Sequence, residues 1–229
     1  MLSQPEIDVL LLAFKIASCV VAATALPALF CALLLARAKG PVSAVLQALL
    51  MLPLVMPPVA TGYLLLLAFG RSSLLGSLIH DWTGIHLSYT TAAAVLAASA
   101  VSFPLFVEST RQAMLGIDPH LESVSRTLGR GRVSTFLRVT LPLSMPGFLS
   151  GAALCFGRAL GEFGATIVFA GSIDGETRQI PLAVYALLNV PGGEESALRL
   201  VIASVVLSLI ALGMAALLLR WRHRRGGRT

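Results

Sequence analysis

Long, continuous apolar runs separated by short polar breaks organise this chain. A run of about 20 apolar residues is the length that crosses a bilayer as a helix. On that measure the pattern predicts five spans, at residues 9–36, 45–69, 91–110, 147–170 and 198–219. The runs do not alternate residue by residue, which argues for helices against the strands of a membrane barrel. Proline marks three of the spans. Pro27 is expected to interrupt the first, Pro53, Pro57 and Pro58 to break helical hydrogen bonds in the second, and Pro104 lies in the third. Residues 181–190 are apolar but too short to cross, and read as re-entrant or interfacial. The expected fold is all-α, a polytopic helical membrane protein with one transmembrane domain over residues 1–229.

Composition narrows this further. The chain is 56% hydrophobic and only 12% charged, with a mean hydropathy of +0.86, so it lacks the polar coat of a soluble domain. The net charge of +6 falls at the ends of spans, where topology accounts for it, and no nucleic-acid partner is expected. The basic tail from Arg220 is expected to be cytoplasmic and to rest on anionic lipid, which with five spans places the N-terminus outside. Arg37, Lys39, Arg111, Arg126, Arg130, Arg132 and Arg138 then fall inside, and only Arg71, Arg178 and Arg199 outside. Lys15 is expected to snorkel to the outer interface. The acidic N-terminus lacks the basic region of a cleaved signal peptide. Cys19, Cys31 and Cys155 read as buried small hydrophobes, and His80, Asp81 and His86 as a solvated loop without metal spacing. There is no G-x-x-x-x-G-K-[ST] phosphate loop and no hydrolytic constellation, so the chain is expected neither to be an enzyme nor to bind ATP or another cofactor itself.

The longest strongly basic gap, residues 111–146, holds the most informative segment. Asp118 followed by Pro119 is a helix start, a capping oxygen and then a proline in the first turn. Glu122 sits where the helix dipole favours negative charge. Leu121, Val124 and Leu128 form one apolar stripe, and Gly129 is placed to end the helix in the left-handed conformation. Periodicity leaves two uses open for this amphipathic helix, lying on lipid or inserting into a groove on a cytoplasmic partner.

Gly129, nine residues, then Val139-Thr140-Leu141-Pro142 resembles the second half of the EAA loop of importer-type ABC transporter permeases. At the start of that loop this chain has Ser123-Val124-Ser125 where the family has Glu-Ala-Ala, with Glu122 one position earlier. Arg158-Ala-Leu-Gly-Glu-Phe-Gly-Ala-Thr166, Gly175-Glu-Thr-Arg-Gln-Ile-Pro181 and Leu52-Pro-Leu-Val-Met-Pro-Pro-Val-Ala-Thr-Gly62 resemble the molybdate and sulfate branch of these permeases, whose short five-span form is the molybdate type. The resemblance implies a permease subunit in the cytoplasmic membrane of a prokaryote, carrying molybdate in an ATP-driven importer. Sulfate, thiosulfate or tungstate are the alternative cargoes, and a stand-alone anion channel the alternative class. It also implies a homodimer, two ATPase subunits that use the ATP, and a substrate-binding protein on the outer loops. Glu122, Ser123, Val124, Ser125, Leu128, Gly129, Arg130, Leu141 and Pro142 would couple to the ATPase.

The candidate pathway or gate residues are Pro57, Pro58, Thr61, Gly62, Arg158, Glu162 and Thr166. Arg158 and Glu162 stand four apart and can pair on one helix face. A fixed carboxylate would repel an anion in an open path, so Glu162 reads as a gate or dimer contact. Thr61 offers a neutral hydroxyl as a weak anion partner. Gly157, Gly161 and Gly164 read as a small face for close helix packing, within the subunit or across a dimer.

Overall fold

A computed structural model describes residues 3–38 and 40–226, with residues 212 and 214–226 described by their backbone alone. Lys39 and the side chains of the basic tail from Arg220 therefore lie outside the described residues. All regular structure among the described residues is helical: α1 (Gln4–Arg37), α2 (Pro41–Val55), α3 (Pro58–Phe69), α4 (Leu74–Thr83), α5 (Thr91–Leu115), α6 (Pro119–Thr127), α7 (Arg132–Thr135), α8 (Leu141–Leu160), α9 (Gly164–Phe169), α10 (Ile180–Leu188) and α11 (Glu194–Gly226). A π-helical turn at Phe136–Thr140 joins α7 to α8, so Arg132–Leu160 is one continuous rod. Among the described residues three helices are long and apolar enough to cross a membrane, Gln4–Arg37, Thr91–Leu115 and Arg132–Leu160. The bent pair of α2 and α3 would make a fourth. The expected span at 198–219 lies within α11.

The prolines behave unequally. Pro27, Pro53, Pro104 and Pro146 all sit inside helices, so the expected interruption at Pro27 does not end α1, and the hydrogen bond lost at Pro53 does not end α2. One proline removes one hydrogen bond, which neighbouring helices can compensate. Pro57 and Pro58 differ because they are consecutive. A residue before proline is pushed out of the helical region, and here both Met56 (ψ 149°) and Pro57 (ψ 129°) are extended. The result is a 107° bend between α2 and α3 in place of one straight span over 45–69. The expected span at 147–170 is also broken, because α8 ends at Leu160 and the chain restarts as α9 at Gly164.

The core is the three-way packing of α1, α5 and α8. Along the α1–α5 seam Ala13, Ala17, Ala28 and Ala32 of α1 and Ala93, Ala94, Ala97 and Ala98 of α5 are all fully buried. Lipid tails are as apolar as leucine, so helices associate in a bilayer through close packing, which small side chains permit. Gly151 of α8 lies directly on Phe106 of α5, where an added Cβ would meet the ring at 2.8 Å. A polar junction ties the three helices. The Cys155 thiol donates to Ser102 (3.3 Å) and lies 3.7 Å from the Thr24 hydroxyl. Cys155 is buried as expected, Cys31 only half so, and Cys19 is exposed. Turning side chains of helix α1 outward exposes one stripe of it, and Cys19 falls on that stripe.

The stretch between α3 and α5, read as a loop from sequence, contains the ten-residue helix α4. Its signals are local: the Ser73 hydroxyl accepts from the Gly76 N–H at 2.9 Å, and Gly84 ends the helix at φ +72°. The segment read as re-entrant or interfacial becomes α10, nine residues long. At the opposite end of the chain, Glu6 near the start of α1 is buried and takes Arg199 of α11 at 3.0 Å, clamping the two helices together.

Candidate functional site

Two regions hold the residues singled out from sequence. At one end of the bundle, α6 packs against α7 and the π-helical turn, close to the end of α1. The Asp118 side chain caps it by accepting from the His120 N–H at 2.8 Å, Pro119 opens it, and Gly129 follows its end at φ +85°. Two contacts hold α6 from within. Ser125 is buried and shares a hydrogen bond with Thr135 at 3.1 Å. Glu122 accepts a short hydrogen bond from Thr140 and lies 3.7 Å from the Arg37 guanidinium. Glu122 and Ser125 thus face the body of the protein. Ser123, Val124, Leu128, Gly129 and Arg130 are exposed. Leu121, Val124 and Leu128 turn an apolar stripe outward, with Leu128 76% exposed. Beside the stripe, Arg126, Arg130 and Arg132 line a polar cleft with Gly129 and Gly131. Leu141, half-buried, and Pro142, exposed, begin α8 immediately after the π turn.

The second region is the meeting of two interrupted helices. α3 begins after the bend at Pro57, α9 after the break at Gly161, and the two pack backbone to backbone. A Cβ on Gly62 would stand 2.6 Å from the Ala165 carbonyl oxygen, and one on Gly164 would stand 2.8 Å from the Pro58 ring. These contacts require glycine. The three glycines expected to share one helix face are divided between α8 and α9. The helix ends before Gly164, so only Gly164 packs within the subunit, while Gly157 and Gly161 meet no side chain or neighbouring helix within 4 Å.

Around this joint the polar groups are held unevenly. Glu162 is 1% exposed, accepts from the Ala165 N–H at 2.8 Å, and pairs with Arg158 at 2.7 Å. Its carboxylate thereby caps α9 and neutralises the guanidinium. Thr61 and Thr166 are buried, and neither hydroxyl has a hydrogen-bond partner among the described residues. Elsewhere Thr24, Ser102 and Thr110 satisfy themselves by donating to the carbonyl four residues back, at 2.6, 2.6 and 2.9 Å. Gln179 escaped the sequence reading. It is fully buried at the start of α10 with both amide atoms unpartnered among the described residues. A glutamine before an Ile-Pro pair looks like an ordinary helix entry, and only tertiary packing buries it.

The outer-loop histidines are not simply solvated. The His80 and His86 rings stack 4.0 Å apart at 8°, and both Nδ1 atoms are shielded from solvent. Burial, with the positive neighbours His80 and Arg71, lowers the His86 pKa. No cluster of three or more metal-ligating side chains occurs among the described residues.

Comparison with known proteins places these features in context. Residues 28–224 match the model of the family described as binding-protein-dependent transport system inner membrane component. The chain is 46% identical to the molybdenum transport system permease protein ModB of Escherichia coli K12 over 227 residues, 99% of each chain. It is 44% identical to the ModB of Haemophilus influenzae over 86% of this chain and 85% of that one. With the ModB of Mycobacterium tuberculosis it shares 44% identity over 81% of this chain and 69% of that one. Among solved structures, a bacterial ABC transporter importing the acidic polysaccharide alginate superposes with a TM-score of 0.76 at 15% identity, covering 95% of this chain and 80% of that one. An amino acid ABC transporter superposes with a TM-score of 0.65 at 19% identity, covering 94% and 93%. At such identities the structural likeness bears on fold alone.

Proposed function

From the premise that this chain belongs to the binding-protein-dependent transport system inner membrane component family, we propose that it is the permease subunit of an ABC importer for molybdate. The observation that carries the reading is 46% identity to a molybdenum permease across 99% of both chains. A permease of this class works with an ATP-hydrolysing subunit and a substrate-binding protein. In our reading two copies of this chain form the pathway, and an ATPase subunit docks on each α6. The substrate-binding protein meets the opposite face, at the loops around α4 and at residues 171–196. The N-terminus lies outside and the C-terminus in the cytoplasm.

The exposed stripe of Leu121, Val124 and Leu128 supports the ATPase contact, because its inner face is already occupied by Ser125 and Glu122. Closure of the ATPase pair on ATP would draw the two α6 helices together. The rod from Arg132 to Leu160 would carry that motion to the α3–α9 joint. ATP hydrolysis belongs to the partner, since the chain has no phosphate loop.

The test is cellular molybdenum at trace external molybdate, with and without this gene, in the presence and absence of excess sulfate. Loss of molybdenum that excess sulfate does not mimic supports the molybdate reading. Unchanged molybdenum with impaired sulfate uptake moves the cargo to sulfate.

A further inference from the structure

We propose that Arg158 is the residue that meets the oxyanion inside the membrane, with Glu162 as the buried group that positions it; this rests on the anion-importer reading above. From sequence the pair is ambiguous, because a carboxylate facing the path would repel the cargo. The structure separates its two members. The Glu162 side chain is 1% exposed and the Arg158 side chain 27% exposed, so an approaching anion meets the cation and not the carboxylate.

Glu162 is fixed by the Arg158 guanidinium at 2.7 Å and the Ala165 N–H at 2.8 Å. The guanidinium carries five N–H donors in a planar fork suited to oxyanions, and among the described residues Glu162 is its only partner. Its surroundings are open. Gly157 precedes it and Gly161 lies three residues on, and neither meets any side chain or neighbouring helix within 4 Å. Side chains there would close the approach.

Depth makes the exposure informative. Cys155, three residues before Arg158 on α8, meets Ser102 at 3.3 Å and Thr24 at 3.7 Å, residues that lie near the middles of the long apolar helices α5 and α1. The pair is thus well inside a hydrocarbon layer of about 30 Å. A guanidinium uncovered at that depth is costly against lipid and belongs on a water-filled path or a protein contact. Neutralisation by Glu162 also suits transport, since an anion is drawn by the near side of an ion pair rather than by a bare charge, and is released readily.

The test uses the complete transporter in liposomes, permease with its ATPase subunit and binding protein, loaded with ATP. Molybdate uptake and ATP hydrolysis are measured together for the wild type, Arg158→Lys, Arg158→Gln and the double variant Arg158→Gln/Glu162→Gln. Loss of a charged hydrogen bond predicts that Arg158→Gln lowers uptake per ATP by about tenfold, with assembly intact and hydrolysis still stimulated by the binding protein. Arg158→Lys restores most of the ratio. The double variant leaves no buried charge, so it guards against misfolding of the single one, and it too assembles and transports poorly. A glutamine variant, single or double, that assembles and keeps the wild-type ratio overturns the proposal. So does loss of assembly in all three variants, which would make the arginine a structural or dimer contact. Wild-type liposomes that take up neither molybdate nor sulfate would instead overturn the importer reading itself.

Discussion

Thr140 donates its hydroxyl hydrogen to the carboxylate of Glu122, tying the first turn of α6 to the π-helical turn that leads into α8. A π turn holds one residue more than the α-helix around it and re-aims the side chains it carries. Here it turns Thr140 inward. Arg37 of α1 lies 3.7 Å from the same carboxylate oxygen, so one acid joins three elements.

That junction links α6 to both the α1 and the Arg132–Leu160 rods, so loosening it should uncouple the transporter. Thr140→Val removes the hydroxyl and keeps the shape. A hydrogen bond to a charged group contributes about 1.5–3 kcal/mol, which bounds the loss. ATP hydrolysis by the assembled transporter should continue while anion uptake per ATP falls. Parallel measurement of the two rates checks this. Equal losses in both would show that the contact serves folding rather than transmission.

Gly129 tests the docking geometry by another route. It sits at φ +85°, and a Cβ there would meet nothing within 4 Å, so substitution carries only a backbone cost. For an ordinary side chain the left-handed conformation costs about 1–2 kcal/mol. Gly129→Val should therefore leave the membrane helices unchanged and redirect the chain leaving α6. Insertion and thermal stability in detergent should stay close to wild type, while capture of the ATPase subunit weakens. A variant binding the ATPase normally would separate this turn from docking.

The contrast between α6 and the broken spans shows what a sequence carries. α6 was legible because its determinants are local: Asp118 caps, Pro119 opens and Gly129 closes it, whatever it packs against. The long apolar runs were legible for the same reason, since hydropathy depends on composition along one segment. The breaks were only half so. Pro57-Pro58 carries a local cause, two successive residues barred from the helical region, yet Pro27 and Pro53 looked equally disruptive and are absorbed into helices. The end of α8 near Gly161 has no comparable local cause. Spacing brought Arg158 and Glu162 together, but which of them faces inward is decided by α3 and α9, elements distant in sequence. Gln179 is buried by the same non-local packing.

Two glycines that look alike in sequence should behave oppositely. A methyl on Gly62 would press on the Ala165 carbonyl oxygen at 2.6 Å and its Cα at 2.7 Å, backbone atoms that cannot rotate away. Overpacking of this kind costs about 1–3 kcal/mol. Gly62→Ala should lower thermal stability and disturb the α3–α9 joint. Gly161→Leu should leave the folded subunit stable, because only carbonyls of its own last turn lie within 4 Å. If this open face meets a second copy, Gly161→Leu should instead shift the permease from dimer to monomer. Detergent-corrected mass and melting temperature, measured on both variants, separate the effects. A dimeric, active Gly161→Leu would remove this face from the interface.

The His80–His86 stack predicts a local response to acid. Burial holds the His86 pKa below its ordinary value of about 6.5, and the positive charges of His80 and Arg71 push it the same way. A histidine whose pKa is lowered in the folded state takes up its proton first when that structure opens. Stability from the stack is therefore complete above the ordinary histidine pKa and is lost as pH falls below it. Asp81, exposed on α4, is the nearby acid in sequence and is not part of the stack. Amide exchange in residues 80–90, corrected for intrinsic pH dependence, should accelerate between pH 7.5 and pH 5.5 while the α1–α5 seam stays protected. His86→Phe keeps a ring against His80 but cannot take up the proton, so it should abolish the acceleration. Unchanged exchange in the wild type across that interval would show that the stacked rings do not hold this segment in place.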